Sequence, residues 1–234
     1  MKRVLVKRPL SALHMPAQQH AIALRLTFAL MLFCFTSINA IRLVLSLFAL
    51  DLGAKPIAVS LLYATFYLFP VALSWPIGSY SDRVGSRSLL MAGTASGAIG
   101  CLIPYLWRDL TALYVGALVV GLSFSFYLVL LQNAIGLLSR PDERARNFSN
   151  ASMVGATTAF IGPLLAGVAI DHAGSAVACL LVAVFPAIGA LLLARWGRSL
   201  PQGTRHTAPT DTPSSARPPI VRALVTSALV QLGQ

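Results

Sequence analysis

A charged and glycine-containing segment, GSYSDRVGSR at residues 78–87, separates two long apolar segments. It contains the acid Asp82 and the cations Arg83 and Arg87. A carboxylate at a helix boundary can face the positive N-terminal end of another helix, and arginines can pair with acids or lipid phosphates. Such contacts contribute about 0.3–2 kcal/mol each, so they can form in one conformation and break in another. We therefore expect reversible docking at this segment, and no covalent chemistry.

Further polar residues lie inside the apolar segments. Asn39, Arg42 and Ser46 recur at intervals of three and four, and Ser125 and Gln132 are seven apart. Each set forms a stripe on a helix that should face a protein interior, because polar groups are unfavourable in lipid. We take them as candidate cavity residues, although interhelical hydrogen bonding is the favoured role of Gln132. Arg42 could attract an anionic solute, pair with a carboxylate or extend to the headgroups; the sequence leaves these open.

The amino-acid composition indicates whether these residues lie in lipid or in water. Hydrophobic residues make up 56% of the 234 residues and charged residues 11%, which is unlike a soluble domain. Six apolar segments are each long enough to span a bilayer, and none alternates as a barrel strand would. We predict an all-α membrane bundle of six transmembrane helices at residues 26–50, 57–78, 88–107, 111–138, 147–170 and 175–196.

The remaining segments define the domain organisation. Residues 1–25 form a basic tail, residues 26–198 the six-helix domain, and residues 199–219 a linker rich in Pro, Ser and Thr that is predicted to be disordered. Residues 220–234 begin a new apolar segment that stops short of a full crossing. We expect an incomplete seventh helix and a truncated chain.

Basic residues predict the orientation in the membrane. With the N-terminus in the cytoplasm, fifteen of the eighteen Lys and Arg residues fall in inner segments, two in outer loops, and one, Arg42, within a helix. This bias explains the net charge of +11. It favours a plasma membrane location, the inner membrane of a bacterium, and argues against nucleic-acid binding, because no aromatic residues or recognition helix accompany the charges.

The spacing of Gly78, Asp82, Arg83, Gly85 and Arg87, between the second and third helices, resembles the signature loop of the major facilitator superfamily. The resemblance implies two six-helix halves that rock about a central cavity, with this loop acting as a conformational latch against the second half. It implies that the first and fourth helices line the substrate cavity. The chain carries the first half only, so the latch partner is missing from the sequence. We call residues 78–87 the latch loop.

The fifth apolar segment contains GPLLAG at residues 162–167, which resembles an element of exporters and antiporters in the same family. Gly162, Pro163 and Gly167 predict a kink and a thin surface for helix packing. Ala166 replaces a glycine of the family element, so the resemblance favours export only slightly. No Asp or Glu lies within a predicted helix core. If protons drive transport, we expect the proton carrier either in the missing half or at the outer rim, where Asp51 and Asp171 are the candidates.

Between the fourth and fifth helices, Glu143 and Arg144 lie within reach of the latch loop, and we predict a network with Asp82 and Arg87. The sequence has no metal-ligand spacing, nucleotide-binding loop or catalytic constellation, so we expect no enzyme activity, no metal and no cofactor. The favoured function is a secondary transporter of a small solute. The alternative is a truncated, non-transporting protein that dimerises or modulates a full-length relative.

Overall fold

The structure is a computed structural model that describes residues 17–197, with the side chains of residues 17–19, 74–76, 78–80 and 82–84 excepted. Within that range the chain forms five helices and no strand: α1 (Ala17–Asp51), α2 (Pro56–Val84), α3 (Ser86–Leu106), α4 (Leu110–Leu138) and α5 (Arg144–Trp196). All five are long and apolar enough to cross a membrane. The all-helical prediction is confirmed for these residues. The predicted linker and seventh helix, residues 199–234, lie outside them.

Helix α5 joins the two segments predicted as the fifth and sixth crossings. It has 53 residues, about 80 Å at 1.5 Å per residue, whereas the hydrocarbon core is about 30 Å thick. Gly174 interrupts it with φ 79° and ψ 163°, a backbone region that glycine adopts without the steric penalty of a Cβ. We call residues 144–173 the first arm and residues 175–196 the second arm. Six crossings remain a prediction that this break supports.

Helix boundaries differ most from the prediction at the start of α1. The first crossing was expected from residue 26, yet α1 begins at Ala17 and includes part of the predicted tail. At 35 residues, α1 is about 52 Å long and exceeds one bilayer thickness. Hydropathy marks the apolar part of a helix, but helical hydrogen bonding can continue beyond it into the polar region.

The helices pack so that α1 lies against α5 and α4 lies against both α2 and α3. The buried core consists mainly of α1 and α4 side chains such as Leu30, Ile41 and Leu131. Hydroxyl groups add interhelical hydrogen bonds: Ser123 and Tyr127 of α4 donate to the carbonyl oxygen of Gly93 at 2.7 and 3.1 Å. Small residues and hydroxyl groups are the usual means of joining helices in lipid, where apolar contact alone gives little preference.

Two glycines allow backbones to approach closely beside the candidate site. A Cβ at Gly162 of α5 would lie 2.7 Å from Cβ of Asn39 and 3.0 Å from the backbone nitrogen of Ala40, both in α1. A Cβ at Gly121 of α4 would overlap the carbonyl group of Phe66 in α2. These contacts place α5 directly against α1, and α4 directly against α2.

Candidate functional site

The side chain of Arg42 lies between α1 and α2, surrounded by aromatic rings. Its Cζ atom is 5.2 Å from the ring centroid of Tyr63, 5.6 Å from that of Phe66 and 5.0 Å from that of Tyr67. Each distance is within the roughly 6 Å over which a ring face attracts a cation, an interaction of about 0.5–2 kcal/mol. The positive charge of Arg42 is therefore stabilised by three rings of α2.

These rings belong to a larger aromatic cluster that fixes their positions. Phe66 packs edge-on against Tyr67 at 5.6 Å, and both contact Phe124 of α4, at 6.0 and 6.3 Å between centroids. Phe35 of α1 contacts Phe124 in turn at 6.3 Å. Aromatic pairs at these separations are favourable in edge-to-face or tilted arrangements. Aromatic side chains of α1, α2 and α4 therefore pack together beside Arg42.

A cleft opens beside this cation, and we call the cleft together with Arg42 and its rings the Arg42 site. The lining residues of the cleft are Arg42, Leu45, Ser46, Leu62, Tyr63, Phe66 and Ala117. Ser46 donates its hydroxyl hydrogen to the carbonyl oxygen of Arg42 at 2.8 Å, so its lone pairs remain to accept hydrogen bonds. The cleft is therefore mostly apolar, with one formal charge and few hydroxyl groups.

Hydrogen bonding around Arg42 is incomplete. Its Nε atom is buried and has no acceptor among the described residues. Where both side chains are described, the one ion pair joins Glu143 and Arg146, so no described carboxylate neutralises Arg42. Ring faces stabilise the charge but accept no in-plane N–H hydrogen bond as an oxygen does. An unsatisfied buried donor is unfavourable by about 1–3 kcal/mol.

The structure brings only two of the five predicted cavity residues together, Arg42 and Ser46. Asn39 instead faces α5, where its amide donates to the carbonyl oxygen of Phe35 at 2.9 Å and to the hydroxyl of Thr158 at 3.5 Å. Ser125 is fully buried and donates to the carbonyl oxygen of Gly121 at 3.0 Å. Gln132 is exposed on the surface of the described bundle.

At the other end of the bundle, Gly85 forms the turn of the latch loop with φ 91°. Arg87 donates from Nη2 to the carbonyl oxygen of Ala194 at 3.5 Å, at the C-terminal end of α5. A cation is favourable there because the last carbonyl groups of a helix carry partial negative charge. Gly78, Asp82 and Arg83 belong to α2, but the side chains of Asp82 and Arg83 lie outside the described part, so their predicted contacts remain a prediction.

The predicted partners of the latch loop contact other groups in this structure. Glu143 pairs with Arg146 at 3.3 Å, within its own turn. Arg144 donates from Nη2 to the carbonyl oxygen of Gly136 at 3.4 Å. Neither of these contacts includes Arg87. The network remains a hypothesis for another conformation.

The two glycines of the predicted kink element have different surroundings. Gly162 is buried against α1, whereas a Cβ at Gly167 would meet no atom within 4 Å. Pro163 lies inside α5, and the backbone there keeps helical dihedral angles; Gly174 is where they depart. The thin surface predicted for this element is therefore provided by Gly162.

Tyr63, Phe66 and Tyr67 were not among the cavity residues predicted from the sequence. The signal available was the pair of tyrosines at a spacing of four in α2, together with Arg42 inside the apolar part of α1. Which helix face meets which neighbour depends on tertiary packing, so the sequence alone did not join them.

One carboxylate contacts a hydroxyl group near the break at Gly174. Asp51, at the end of α1, accepts a hydrogen bond from Ser175, the first residue of the second arm of α5. This bond joins the end of α1 to the start of the second arm. Between residues 17 and 197, no three His, Cys, Asp or Glu side chains come close enough to hold a metal ion.

Comparison with known proteins places this bundle. The sequence model of the Major Facilitator Superfamily matches residues 27–232. No curated protein sequence matches the chain significantly. Among solved structures, a peptide transporter POT in complex with sulfate has a TM-score of 0.67 at 20% identity over 90% of this chain and 45% of its own. A POT family transporter in complex with 5-aminolevulinic acid has a TM-score of 0.69 at 16% identity over 89% of this chain and 45% of its own.

These structures share the fold of this chain. PepTSo, another POT family transporter, has a TM-score of 0.68 at 14% identity, over 90% of this chain and 46% of its own. The chain thus spans about half the length of the solved structures it matches.

Proposed function

Because the chain belongs to the major facilitator superfamily, we propose that it forms one half of a secondary transporter that moves a small solute by alternating access. The observation that carries this proposal is the Arg42 site, where a cation with no acid partner among the described residues lines a cleft between α1, α2 and α4. A charge is retained within a membrane helix chiefly where it serves a ligand, an ion or a partner charge.

The site lies well below the outer end of the bundle. Arg42 is nine residues before Asp51, the end of α1, about 13 Å along the helix axis. Tyr63 and Tyr67 are seven and eleven residues beyond Pro56, the start of α2, about 10–16 Å from that end. Because the guanidinium group lies over rings at this depth, this position supports a solute-binding role over extension to the headgroups.

Several finer parts of the proposal rest on the sequence. The positive-inside bias supports a bacterial inner membrane location with a cytoplasmic N-terminus, and the GPLLAG element supports export or antiport slightly over import. A complete cavity needs six further helices, and we propose that they come from additional chain, a partner polypeptide or a second copy. The latch loop would then dock on that second half.

Alternating access can be tested without knowing the solute. Ser46→Cys, in the outer cleft, and Gln132→Cys, near the inner end of α4, report on the two sides of the membrane. In the native membrane, where the proposed second half is supplied, we expect Asp82→Asn to weaken the inner closure, so that an impermeant thiol reagent labels position 132 faster from the inside and position 46 more slowly from the outside. Asp142→Asn, an exposed acid of the turn between α4 and α5, is the matched control.

Opposite changes at the two positions support the transporter, provided that the control variant leaves both rates unchanged. If Asp82→Asn alters neither rate, or alters both in the same direction, the chain does not alternate. That result would favour the non-transporting alternative, in which the half dimerises with, or modulates, a full-length relative.

A further inference from the structure

Two arginines meet where α3 begins and the second arm of α5 ends. Arg87, the second residue of α3, donates from Nη2 to the carbonyl oxygen of Ala194 at 3.5 Å. Its side chain also passes beside Gly197, where an added Cβ would lie 3.0 Å from Nε of Arg87. Arg195 lies in the last turn of α5 and is exposed. Because Arg195 directly follows Ala194, the two arginines are neighbours at one end of the bundle.

No described acid neutralises this pair of cations. Among side chains that are both described, the one ion pair joins Glu143 and Arg146. The sequence has no Asp or Glu at residues 172–210, an interval that includes Arg195. A guanidinium group has five N–H donors, and the hydrogen bond to Ala194 uses one of them. The pair therefore keeps donors and positive charge for an anion.

The backbone at the start of α3 also favours an anion at this place. Gly85, the residue before α3, provides no side-chain cap for the first turn. The first N–H groups of a helix carry partial positive charge and attract anions. The last carbonyl groups of α5 carry the opposite charge, which Arg87 offsets by donating to one of them.

An exposed apolar face leads along the second arm of α5 to these cations. Three apolar residues precede Arg195 at intervals of four or seven and so share its helix face: Leu180, Val184 and Leu191. Leu191, one turn before Arg195, is 68% exposed. Trp196 is 49% exposed, and indole rings favour the boundary between hydrocarbon and headgroups. Apolar surface that ends in cations fits an amphiphile with an anionic head better than it fits a free anion.

We propose that this surface binds an anionic phospholipid, and we call Arg87, Arg195 and Trp196 the lipid site. The phosphate oxygens accept hydrogen bonds from both guanidinium groups, which suit phosphate geometry. An acyl chain packs along Val184 and Leu191. A zwitterionic lipid gains less, because it carries its own cation beside the phosphate.

The lipid site connects two parts of the chain. Arg87 ends the latch loop, and Arg195 lies just before the predicted linker, so a bound lipid holds both against the membrane surface. This inference goes beyond the proposed function, because lipid binding requires neither a solute nor a second half.

Tryptophan fluorescence can detect the bound lipid. The chain has three tryptophans, so Trp75→Phe with Trp107→Phe leaves Trp196 alone and keeps both arginines. This full-length variant is placed in phosphatidylcholine nanodiscs that contain brominated phosphatidylglycerol or, for comparison, brominated phosphatidylcholine. Bromine quenches an indole ring only at short range. Each arginine near an anionic lipid contributes about a fivefold preference, so we expect phosphatidylglycerol to be preferred beside Trp196 by about fivefold or more.

The opposite end of α3 provides a matched control. Trp75→Phe with Trp196→Phe leaves Trp107, which is exposed and is followed by one arginine, Arg108, and then by the acid Asp109. A single arginine beside an acid should select anionic lipid weakly. We therefore expect the two brominated lipids to quench Trp107 to within about twofold of each other.

Substitutions in the variant that retains Trp196 then locate the effect. Arg195→Gln and Arg87→Gln should each lower the preference for phosphatidylglycerol about fivefold, and Arg195→Lys should keep most of it because the charge remains. Arg146→Gln is the matched control, because Arg146 already pairs with Glu143 at 3.3 Å, and it should leave the preference unchanged. Inorganic phosphate should not reduce the quenching, because it cannot use the apolar face.

Equal quenching of Trp196 by the two lipids would overturn the proposal, as would an equally large preference at Trp107. A preference that survives Arg195→Gln or Arg87→Gln, or that falls equally with Arg146→Gln, would indicate general attraction to an anionic surface. Loss of quenching on addition of inorganic phosphate would show that the arginines take a free anion in place of a lipid. Failure of the transporter proposal is distinct, because it appears in the thiol labelling and leaves the lipid preference intact.

Discussion

Replacing Gly162 by alanine tests the close contact between α1 and α5. The new Cβ would lie 2.7 Å from Cβ of Asn39 and 3.0 Å from both the nitrogen of Ala40 and the oxygen of Thr36. Ordinary contact requires about 3.4–4 Å, so the helices must separate by about 0.7 Å. Backbone atoms cannot turn aside as a flexible side chain does, and over-packing of this kind is unfavourable by about 1–3 kcal/mol.

The same substitution at Gly167 is the matched control. Both glycines belong to the first arm of α5, and a Cβ at Gly167 would meet nothing within 4 Å. Alanine favours a helix over glycine by about 1 kcal/mol, so Gly167→Ala should be neutral or stabilising. Because Gly162→Ala has the same gain but adds the clash, it should be about 1–3 kcal/mol less stable than Gly167→Ala.

Thermal unfolding in detergent can measure the difference with a fluorogenic thiol reagent. Cys34, Cys101 and Cys179 are buried and free, so they react only as the helices separate. For a chain of this size about 2–4 °C corresponds to 1 kcal/mol, so the melting midpoint of Gly162→Ala should lie about 2–12 °C below that of Gly167→Ala. A Gly162→Ala variant that melts at or above the midpoint of Gly167→Ala would refute the packing argument.

Further predictions concern the cysteines and the end of the bundle near the turn between α4 and α5. Asn147 is buried and donates from its amide to the hydroxyl of Ser139 at 2.8 Å. Asn147→Ala should therefore destabilise the chain by about 1–2 kcal/mol. Asn150→Ala, at an exposed position, is the control and should leave the melting midpoint unchanged. The ion pair between Glu143 and Arg146 is largely exposed, and such pairs contribute little to stability. Glu143→Gln should therefore not shift the melting midpoint measurably. A clear fall in the midpoint would indicate that Glu143 makes a stabilising contact beyond this pair. The three cysteines should stay unlabelled by maleimide in the folded protein and react fully in denaturing detergent, and rapid labelling of the folded chain would contradict their burial.

Much of the fold follows from local sequence patterns. The fourth apolar segment was predicted at residues 111–138, and α4 is Leu110–Leu138, because hydropathy and the polar residues at each end mark a crossing directly. The latch loop was expected between the second and third helices, and Gly85 separates α2 from α3. Asp109 begins α4 as a side-chain cap, accepting from the nitrogen of Ala112 at 2.6 Å, a role typical of aspartate.

The candidate site was less accessible to sequence reasoning. A polar stripe shows which residues share a helix face, but not which neighbour that face meets. Asn39 and Arg42 are three residues apart in α1, yet Asn39 contacts Thr158 of α5 and Arg42 contacts Tyr67 of α2. This divergence arises because α1 lies between two helices, and only the packed structure shows where that boundary falls.

Sidedness of the loops provides the most direct test that this chain crosses the bilayer as a transporter half. Asp142→Cys lies in the turn between α4 and α5, and Arg108→Cys lies in the turn between α3 and α4; both positions are exposed. With an impermeant maleimide on intact cells, we expect position 108 to react at once and position 142 only after the membrane is permeabilised. Labelling of position 142 in intact cells, or equal labelling of both positions, would contradict the topology on which the transporter proposal depends.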